Sequence, residues 1–420
     1  MNSDSQNTKH AENLKCRNCG SAHLHPILDL QSAPVSNAFL TSEALKKAEP
    51  YYPLKVYVCA DCKFAQVADY QSAEYHFNSD YVYFSSMSEA FVKHAKDYVD
   101  LISERLGLNA QSFVVEAASN DGYLLQHFKN RGVPCLGVEP SSSTVKVALS
   151  RGIDTVAEFF TTKLGRELRE KRGPADLFVG NNVLAHVPDI NDFIGGISAL
   201  LKDSGTATLE FPHLLTLIQD VQFDTVYHEH YSYISLYSIR SAMERHGLYV
   251  YNVDELSVHG GSLRIYCAKK ESGIPVDGSV ARVLQKEIDA GLDNLDVYLG
   301  FQERVDRICN DFLGFVISEK SKGRSIVGYG AAAKGNTFLN YCGVKANLID
   351  YVCDLTPAKQ GKFLPGSHIP VYSEERLRET KPDYIVILPW NWRNVIVDRL
   401  AFTREWGARF IVAIPNVQVF

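Results

Sequence analysis

Two Cys-x-x-Cys pairs near the N-terminus carry a clear chemical signal: Cys16-Arg-Asn-Cys19 and Cys59-Ala-Asp-Cys62. Each short turn presents two sulfurs to one point, and two such turns close a tetrahedral site for Zn²⁺. Four free thiols or one redox pair are the alternatives, and two pairs close to the same terminus favour the metal. Because a closed site has no open ligand position, we predict one structural zinc per chain.

A second cluster of ionisable side chains lies in the segment Phe223–Tyr231, which reads FDTVYHEHY and is called the histidine run below. In a helix Tyr227 and His230 would share a face, and in an extended chain His228 and His230 would do so. Histidine is a natural base near neutral pH. We therefore expect His230 to be a general base, with a polar surface turn or a second metal site as alternatives.

An aromatic patch, Asp80–Ser86, precedes the region with the strongest strand and helix alternation. Tyr81 and Tyr83 alternate along it, which puts both rings on one face of an extended chain. This arrangement suits a lid over a pocket, and ordinary core packing is the alternative interpretation.

A small-residue turn follows the apolar run at 113–117, in the sequence FVVEAASNDG. Such a turn at the carboxyl end of a parallel strand lets a ligand approach the backbone. The turn lacks the G-x-G-x-x-G cradle for pyrophosphate, so S-adenosylmethionine is favoured over NAD or FAD. Strand-end polar groups that only cap helices are the alternative. The candidate cofactor-binding residues are Glu116, Ala118, Asn120, Asp121, Glu139, Asn181 and Asn182.

Positioning these groups requires a layered fold. Strand-like and helix-like stretches alternate over 81–270, which predicts an α/β architecture with a mainly parallel sheet. Helical spacing dominates 279–322, and a second α/β unit begins near 325. We expect a disordered tail at 1–15, a zinc-binding domain at 16–80, a cofactor domain at 81–272 and a C-terminal domain at 273–420.

The C-terminal domain contains a dinucleotide-like fingerprint, Gly328-x-Gly330-x-x-Ala333. It follows a short apolar strand and precedes a helix whose first turn carries Lys334, and Asp354 closes the next strand. Backbone N–H groups at such a helix start favour phosphate. A genuine NAD site and a Rossmann-like unit that only packs are both compatible with this pattern.

Composition excludes several classes of protein. With 45% hydrophobic and 22% charged residues, the chain is unlike a collagen, a disordered protein or a disulfide scaffold. The formal net charge of −6 and the dispersed lysines and arginines give no indication of a nucleic-acid partner. The polar N-terminus and the lack of a long apolar run predict a cytoplasmic protein without a membrane anchor.

Several motifs occur in an order typical of one family. They are the paired Cys-x-x-Cys turns, the E-x-x-x-N-D-G turn, the L-x-H-V-P loop at 184–188, the V-Y-x-E-H run at 226–230, and the segments 258–264, 327–334 and 365–371. The chain resembles the S-adenosylmethionine-dependent C-methyltransferases of deoxysugar biosynthesis. These act at C3 of nucleotide-linked 4-keto-6-deoxysugars.

The resemblance implies an α/β fold class with an N-terminal zinc-binding unit, a central Rossmann-like class I methyltransferase domain and a C-terminal Rossmann-like domain. It also implies a nucleotide-linked keto-deoxysugar as partner, with thymidine diphosphate as the expected nucleotide and cytidine or guanosine as alternatives; the oligomeric state stays open. The alternatives are an NAD-dependent nucleotide-sugar oxidoreductase and a zinc-containing binding module. The implied catalytic residues are Tyr81, His186, Tyr227, Glu229 and His230, and the implied substrate-binding residues are Tyr83, His259, Gly328, Gly330 and Lys334.

Overall fold

The computed structural model describes residues 14–76 and 84–420, which form three β-sheets. The expected α/β fold class, with a zinc-binding unit ahead of Rossmann-like units, is confirmed. Within the described residues, no helix is both long and apolar enough to cross a membrane. Tyr81 and Tyr83, the expected lid, lie outside the described residues.

The N-terminal unit is an antiparallel sheet in the order β1-β2-β3, and a short strand from the histidine run region, β9, pairs with β3 as the fourth member. The two zinc turns lie next to this sheet, because Cys59 ends β2. The elements are β1 (Leu24–Ala33), β2 (Tyr52–Cys59), β3 (Ala65–Val67), α1 (Ala73–His76) and β9 (Ser232–Tyr233).

The central unit is a seven-stranded sheet in the order β10-β11-β8-β7-β4-β5-β6, in which only β11 is antiparallel to its neighbours. Its strands are β4 (Val114–Ala117), β5 (Cys135–Val138), β6 (Thr155–Val156), β7 (Ala175–Asn181), β8 (Leu201–Pro212), β10 (Leu248–Leu256) and β11 (Ser262–Lys269). Its helices are α2 (Glu89–Leu106), α3 (Leu125–Asn130), α4 (Ser142–Ser150), α5 (Thr162–Arg172), α6 (Ile190–Leu200), α7 (Leu214–Gln219) and α8 (Leu236–Arg245).

Both faces of the central sheet are covered. Val114 and Val115 on β4 belong to different apolar clusters, one on each face, as expected for a parallel strand buried on both sides. The chain runs from β4 to β5 and β6 on one side and from β7 to β8 on the other. The carboxyl ends of β4 and β7 therefore flank the crevice at which ligands bind in sheets of this kind.

The C-terminal unit has a six-stranded sheet in the order β14-β13-β12-β15-β16-β17, parallel except for β17. Its strands are β12 (Ile326–Tyr329), β13 (Val352–Cys353), β14 (Val371–Tyr372), β15 (Tyr384–Ile387), β16 (Arg409–Val412) and β17 (Gln418–Val419). The helices after the central sheet are α9 (Gly278–Asp289), α10 (Asp296–Leu299), α11 (Phe301–Ser321), α12 (Ala333–Tyr341), α13 (Glu375–Thr380) and α14 (Arg393–Arg399).

Helix α9 lies beyond residue 272 in the chain and packs on the central unit. Its Glu287 carboxylate is fully buried and accepts bonds from the backbone N–H groups of Leu236 and Tyr237, both 2.7 Å, at the start of α8. A 2.6 Å bond also links it to Nε2 of His213 at the end of β8. One carboxylate thus satisfies donors from two neighbouring elements.

Replacing Glu287 with leucine should lower the free energy of unfolding by about 3 kcal/mol or more, because each buried donor left without a partner costs about 1–3 kcal/mol. Urea unfolding of both proteins measures the change. Glu271→Leu, at an exposed position, is the control and should stay within about 0.5 kcal/mol of wild type. A loss below about 1 kcal/mol for Glu287→Leu would contradict this account.

Candidate active site and zinc centre

The four predicted cysteines come together. The ligand sulfurs of Cys16, Cys19, Cys59 and Cys62 all lie within 4.8 Å of one another. The Cys16–Cys62 and Cys19–Cys59 sulfur pairs are 3.5 and 3.6 Å apart. Zinc–sulfur bonds of about 2.3 Å in a tetrahedron require sulfurs about 3.8 Å apart, so the cluster fits Zn²⁺.

The first zinc turn docks on the central unit. Nη1 of Arg17 donates to the carbonyl of Pro188 at 2.7 Å, and its guanidinium lies 5.1 Å from the ring centre of Tyr231. Nδ2 of Asn18 donates to the Ser238 carbonyl at 2.9 Å. The zinc turn therefore holds the loop that follows His186 and the end of the histidine run.

The cofactor turn, Ala118–Gly122, has an unusual backbone. Ala118 and Asn120 both adopt left-handed conformations, with φ of 53° and 50°. The two oxygens of Glu139 accept backbone N–H bonds, one from Asn120 at 3.0 Å and one from Ser141 at 2.9 Å. Since a carboxylate has about four acceptor positions, it can still accept hydroxyl groups of a ribose.

Buried polar atoms surround this crevice without a hydrogen-bond partner among the described residues. They include Oε2 of Glu116, Oδ1 of Asp121, and Oδ1 of Asn181 and Asn182. Burial raises the pKa of Glu116 well above its usual value, and the nearby Glu139 and Asp121 carboxylates add to the shift. Orphaned acceptors at the carboxyl ends of β4 and β7 suit a ligand rich in donors, such as the amino and hydroxyl groups of S-adenosylmethionine.

The chain just before α2 crosses the cofactor turn. The backbone N–H of Ser85 donates to Oδ1 of Asn120 at 3.0 Å, and the Ser86 hydroxyl donates to Asp121. Arg151 forms an ion pair with Asp121 at 3.2 Å. Two of the predicted cofactor residues are therefore held by the segment that follows residues 77–83.

His230 lines a cavity of about 60 Å³ next to the carboxyl end of β8. Its Nδ1–H donates to the carbonyl of Thr225 at 2.9 Å. This bond fixes the tautomer and leaves Nε2 as an acceptor. The rings of Tyr227 and His186 lie 4.0 and 4.6 Å from the His230 ring, centre to centre.

Neighbouring side chains of the histidine run point in different directions. Nε2 of His228 donates to the Tyr52 carbonyl of β2 at 3.2 Å, away from the cavity. Nδ1 of His186 donates to the backbone carbonyl of Glu229 at 2.9 Å, while the Glu229 carboxylate accepts from Nδ2 of Asn37 at 3.0 and 3.1 Å. The group that orients an imidazole is thus the main-chain oxygen of Glu229, not its carboxylate.

Burial keeps the imidazoles of the site neutral. It lowers the pKa of His230 well below its usual value, with a further lowering from His186. It also lowers the pKa values of His186 and His259 to about 4. Burial raises the pKa of Glu229 to about 7, against the opposing effect of the Asn37 hydrogen bond. At neutral pH each of these imidazoles is therefore a base or a neutral donor.

His259 lines the same cavity and has an unusual backbone, with φ of 56°. Its ring lies against Phe91 of α2 at 5.2 Å, and its buried Nε2 has no partner among the described residues. The two glycines that follow His259 let the chain pack closely, since a Cβ at Gly261 would lie 2.7 Å from Thr216.

A buried charge network beside His259 was not predicted. The carboxylate of Glu210 on β8 pairs with Nε2 of His94 at 2.9 Å and with Arg264 at 2.5 Å. Burial opposes ionisation, but the His94 hydrogen bond and the Arg264 charge lower the pKa of Glu210 overall. The sequence signal that could have indicated this network is Glu210 itself, a charged residue within the otherwise apolar run 206–212.

Lys334 also enters the cavity, although it belongs to the C-terminal unit. Its Nζ donates to Oδ1 of Asn391 at 3.1 Å and lies 4.6 Å from the ring centre of Trp390. Nε1 of Trp390 in turn donates to Asp224 of the histidine run at 2.8 Å. Asp224, Trp390 and Asn391 are therefore site residues that sequence reasoning missed.

The glycine turn of the C-terminal unit is packed by its own chain. A Cβ at Gly328 would lie 2.8 Å from Val352, and one at Gly330, where φ is +85°, would lie 2.5 Å from Pro389. The carboxylate of Asp354 accepts from the N–H of Ala331 at 2.7 Å. In this structure both glycines allow close packing, and Asp354 bonds the turn itself.

Comparison with known proteins assigns all three units. Residues 16–77 match a zinc-binding domain family, residues 90–253 a methyltransferase domain and residues 257–415 the C-methyltransferase C-terminal domain. The C-methyltransferase NovU of Streptomyces niveus is 36% identical over 405 residues, 96% of each chain. The magnesium protoporphyrin IX methyltransferase ChlM of Synechocystis PCC 6803 is 16% identical, with a TM-score of 0.33 over 43% of this chain and 82% of its own.

The chain belongs to the S-adenosylmethionine-dependent C-methyltransferases that carry an N-terminal zinc-binding domain. The predicted enzyme class and the two predicted cofactors, S-adenosylmethionine and zinc, are confirmed. This membership replaces the alternatives of an NAD-dependent oxidoreductase and of a binding module without turnover.

Removal of the metal should unfold the N-terminal unit. Structural zinc sites contribute on the order of 10 kcal/mol of binding free energy to folding, so Cys62→Ser should lose the zinc and melt at a lower temperature. Elemental analysis should find one zinc per wild-type chain and almost none in the variant. Cys135→Ser is the control, because Cys135 lies outside the cluster, and it should keep its zinc. A fully folded wild type without zinc would contradict the assignment.

Proposed function

We propose that the enzyme transfers the methyl group of S-adenosylmethionine to C3 of a nucleotide-linked 4-keto-6-deoxysugar. The observation that carries the proposal is the neutral His230, whose Nε2 is left as an acceptor in the site cavity because Nδ1–H donates to the Thr225 carbonyl. The family membership indicates that the methyl acceptor is a carbon atom, and the motif resemblance indicates that the substrate is a sugar.

Carbon is a poor nucleophile, so methylation at carbon requires a carbanion equivalent. A ketone beside the methylated carbon provides one, because removal of the C3 proton moves charge onto the ketone oxygen. The protein must then supply a base, donors for the developing negative charge and alignment of the two substrates.

His230 is the proposed base that takes the C3 proton. Tyr227, whose ring is stacked 4.0 Å from that imidazole, is proposed to donate to a sugar oxygen, as is Tyr81. His186 and His259 are proposed to contact the sugar as neutral groups, and Tyr83, which lies outside the described residues, is expected to bind it as well. Glu229 acts through its main-chain oxygen, which holds His186.

The cofactor is proposed to lie in the crevice at the ends of β4, β5 and β7. When bound, S-adenosylmethionine supplies an electrophilic methyl group. Glu139 holds the ribose hydroxyls, and the cofactor turn with Asn181 and Asn182 holds the remaining polar groups. Glu116 and Asp121 set the shape and charge of the turn. The oxygens of Glu116 and Asp121 that lack a partner among the described residues support this position for the cofactor.

The nucleotide diphosphate, expected to be that of thymidine, is proposed to lie along the glycine turn of the C-terminal unit. Gly328 packs closely on Val352 of β13 and Gly330 on Pro389, and helix α12 begins shortly after this turn. Because Lys334 on the first turn of α12 also reaches the site cavity, the glycine turn and the methyl-transfer site are adjacent.

His230→Asn should abolish most methyl transfer. Asparagine keeps a polar contact but cannot take the proton, and loss of general-base catalysis costs about 10²- to 10⁴-fold in rate. The measurement is kcat on thymidine diphosphate-linked 4-keto-6-deoxysugars, together with calorimetric binding of S-adenosylhomocysteine, which should be unchanged.

Tyr227→Phe is the matched comparison and should cost less, since water can replace a neutral hydroxyl. Turnover by His230→Asn within a few-fold of wild type would exclude His230 as the base. An inactive Tyr227→Phe beside an active His230→Asn would move the role to a tyrosinate.

Glu139→Ala should weaken S-adenosylhomocysteine binding by about 10- to 100-fold. Hydrogen bonds to a charged acceptor are worth about 1.5–3 kcal/mol, and each 1.4 kcal/mol is tenfold in affinity. Calorimetry measures the dissociation constant, with the exposed Glu158→Ala as control. An affinity within twofold of wild type would remove Glu139 from the ribose site.

A further inference from the structure

Among the described residues that line the site cavity, Lys334 is the one lysine or arginine. That lining includes Tyr227, His230 and His259 from the central unit, and the lysine alone comes from the C-terminal unit. The imidazoles are neutral near pH 7, because burial lowers their pKa values. The ammonium group is therefore the dominant positive charge at this end of the site.

The position of the ammonium group is fixed by its neighbours. Asn391 accepts one of its protons at 3.1 Å, and the Trp390 ring lies beneath it at 4.6 Å. Trp390 is itself held by its 2.8 Å bond to Asp224. A side chain that has lost its rotational freedom before the reaction is suited to stabilise a charge that develops during it.

The charge is not neutralised by a close carboxylate. Among the described residues, Lys334 has no ion pair within 4.0 Å, and Asp224, the acid that acts on it, accepts a hydrogen bond from Trp390. Asp224 acts on it at longer range, since its charge raises the pKa of Lys334 against the larger lowering caused by burial. The ammonium can therefore take up a new anionic partner.

We propose that Lys334 stabilises the enolate oxygen that forms at C4 of the sugar when His230 removes the C3 proton. The inference rests on the proposed function and adds a catalytic residue to it. The C3–H electron pair becomes the C3–C4 double bond, the carbonyl π electrons move to O4, and the proton moves to Nε2 of His230. O4 is attached to the carbon next to C3, so the base and the oxyanion donor must share one small cavity, as His230 and Lys334 do.

A role on the diphosphate is the competing assignment for this lysine. The diphosphate is attached at C1, which C2 separates from C3, whereas O4 is attached to the carbon bonded to C3. The shared cavity with the base therefore favours the enolate over the phosphates.

The test measures enolate formation without methyl transfer. In D₂O, with saturating thymidine diphosphate-4-keto-6-deoxyglucose and no S-adenosylmethionine, wild type should exchange the C3 proton, observed by NMR. Lys334→Met should slow this exchange by about 10²- to 10³-fold, the usual loss for one oxyanion donor. Its affinity for thymidine diphosphate should stay within about threefold. Lys320→Met, which removes a surface lysine paired with Asp350 in the same unit, should exchange like wild type.

The possible results separate the assignments. If Lys334→Met exchanges the C3 proton at the wild-type rate but binds thymidine diphosphate more weakly, Lys334 binds the diphosphate and the proposal is overturned. A variant with an unchanged exchange rate and an unchanged affinity would also overturn it. If Lys334→Met does not fold by circular dichroism, Lys334→Gln is measured against the same two criteria. A wild type that neither exchanges nor methylates any 4-keto-6-deoxysugar nucleotide would instead overturn the proposed function, and this inference with it.

Discussion

The structure depends on a buried, irregular segment whose main-chain groups must all be satisfied. The histidine run forms only one short turn of 3-10 helix, at Phe223–Thr225, so regular secondary structure cannot pair its backbone. Each of the three units supplies partners instead. The Thr337 hydroxyl of the C-terminal unit donates to the Val226 carbonyl at 2.8 Å. The Val67 N–H of the N-terminal unit donates to the Tyr231 carbonyl at 3.1 Å. Because unpaired buried backbone groups are costly, the run is ordered only where all three units meet.

This constraint gives the zinc a role in the site without a role in the chemistry. Arg17 lies between two zinc ligands and donates to the Pro188 carbonyl, two residues after His186. The same guanidinium lies over Tyr231, the residue after His230. A metal that closes the Cys16–Cys19 turn therefore also fixes the two loops that carry the neighbouring imidazoles.

The same junction sets the electrostatics. Taking His186, His230 and His259 out of water lowers their pKa values, because burial disfavours the charged form. Lys334 lies beside them and carries the positive charge of the cavity, although burial lowers its pKa. The proposed proton transfer requires such an arrangement of neutral acceptors beside a positive charge, since electrostatic effects are larger where water is excluded.

Local spacing was sufficient for the features that neighbours in sequence create. Two Cys-x-x-Cys turns present sulfurs regardless of the rest of the fold, and an apolar strand followed by small and polar residues predicts a ligand crevice at a strand end. The order of the motifs also identified the family. The His230–Tyr227 pair is likewise local, since the two residues are three apart.

Only the tertiary structure decided which distant groups meet. The position of Lys334 in a helical turn after a glycine fingerprint predicts a phosphate ligand, and only the packing of the C-terminal unit shows that it also lines the cavity of His230. Glu229 and His228 are as plausible as His230 from the sequence. In the structure, however, the Glu229 carboxylate accepts a hydrogen bond from Asn37, and His228 donates one to the Tyr52 carbonyl. Trp390, Asp224, His94 and Glu210 join the site through contacts more than a hundred residues apart in sequence. Such contacts depend on how the three units pack together, and residue spacing carries no information about that packing.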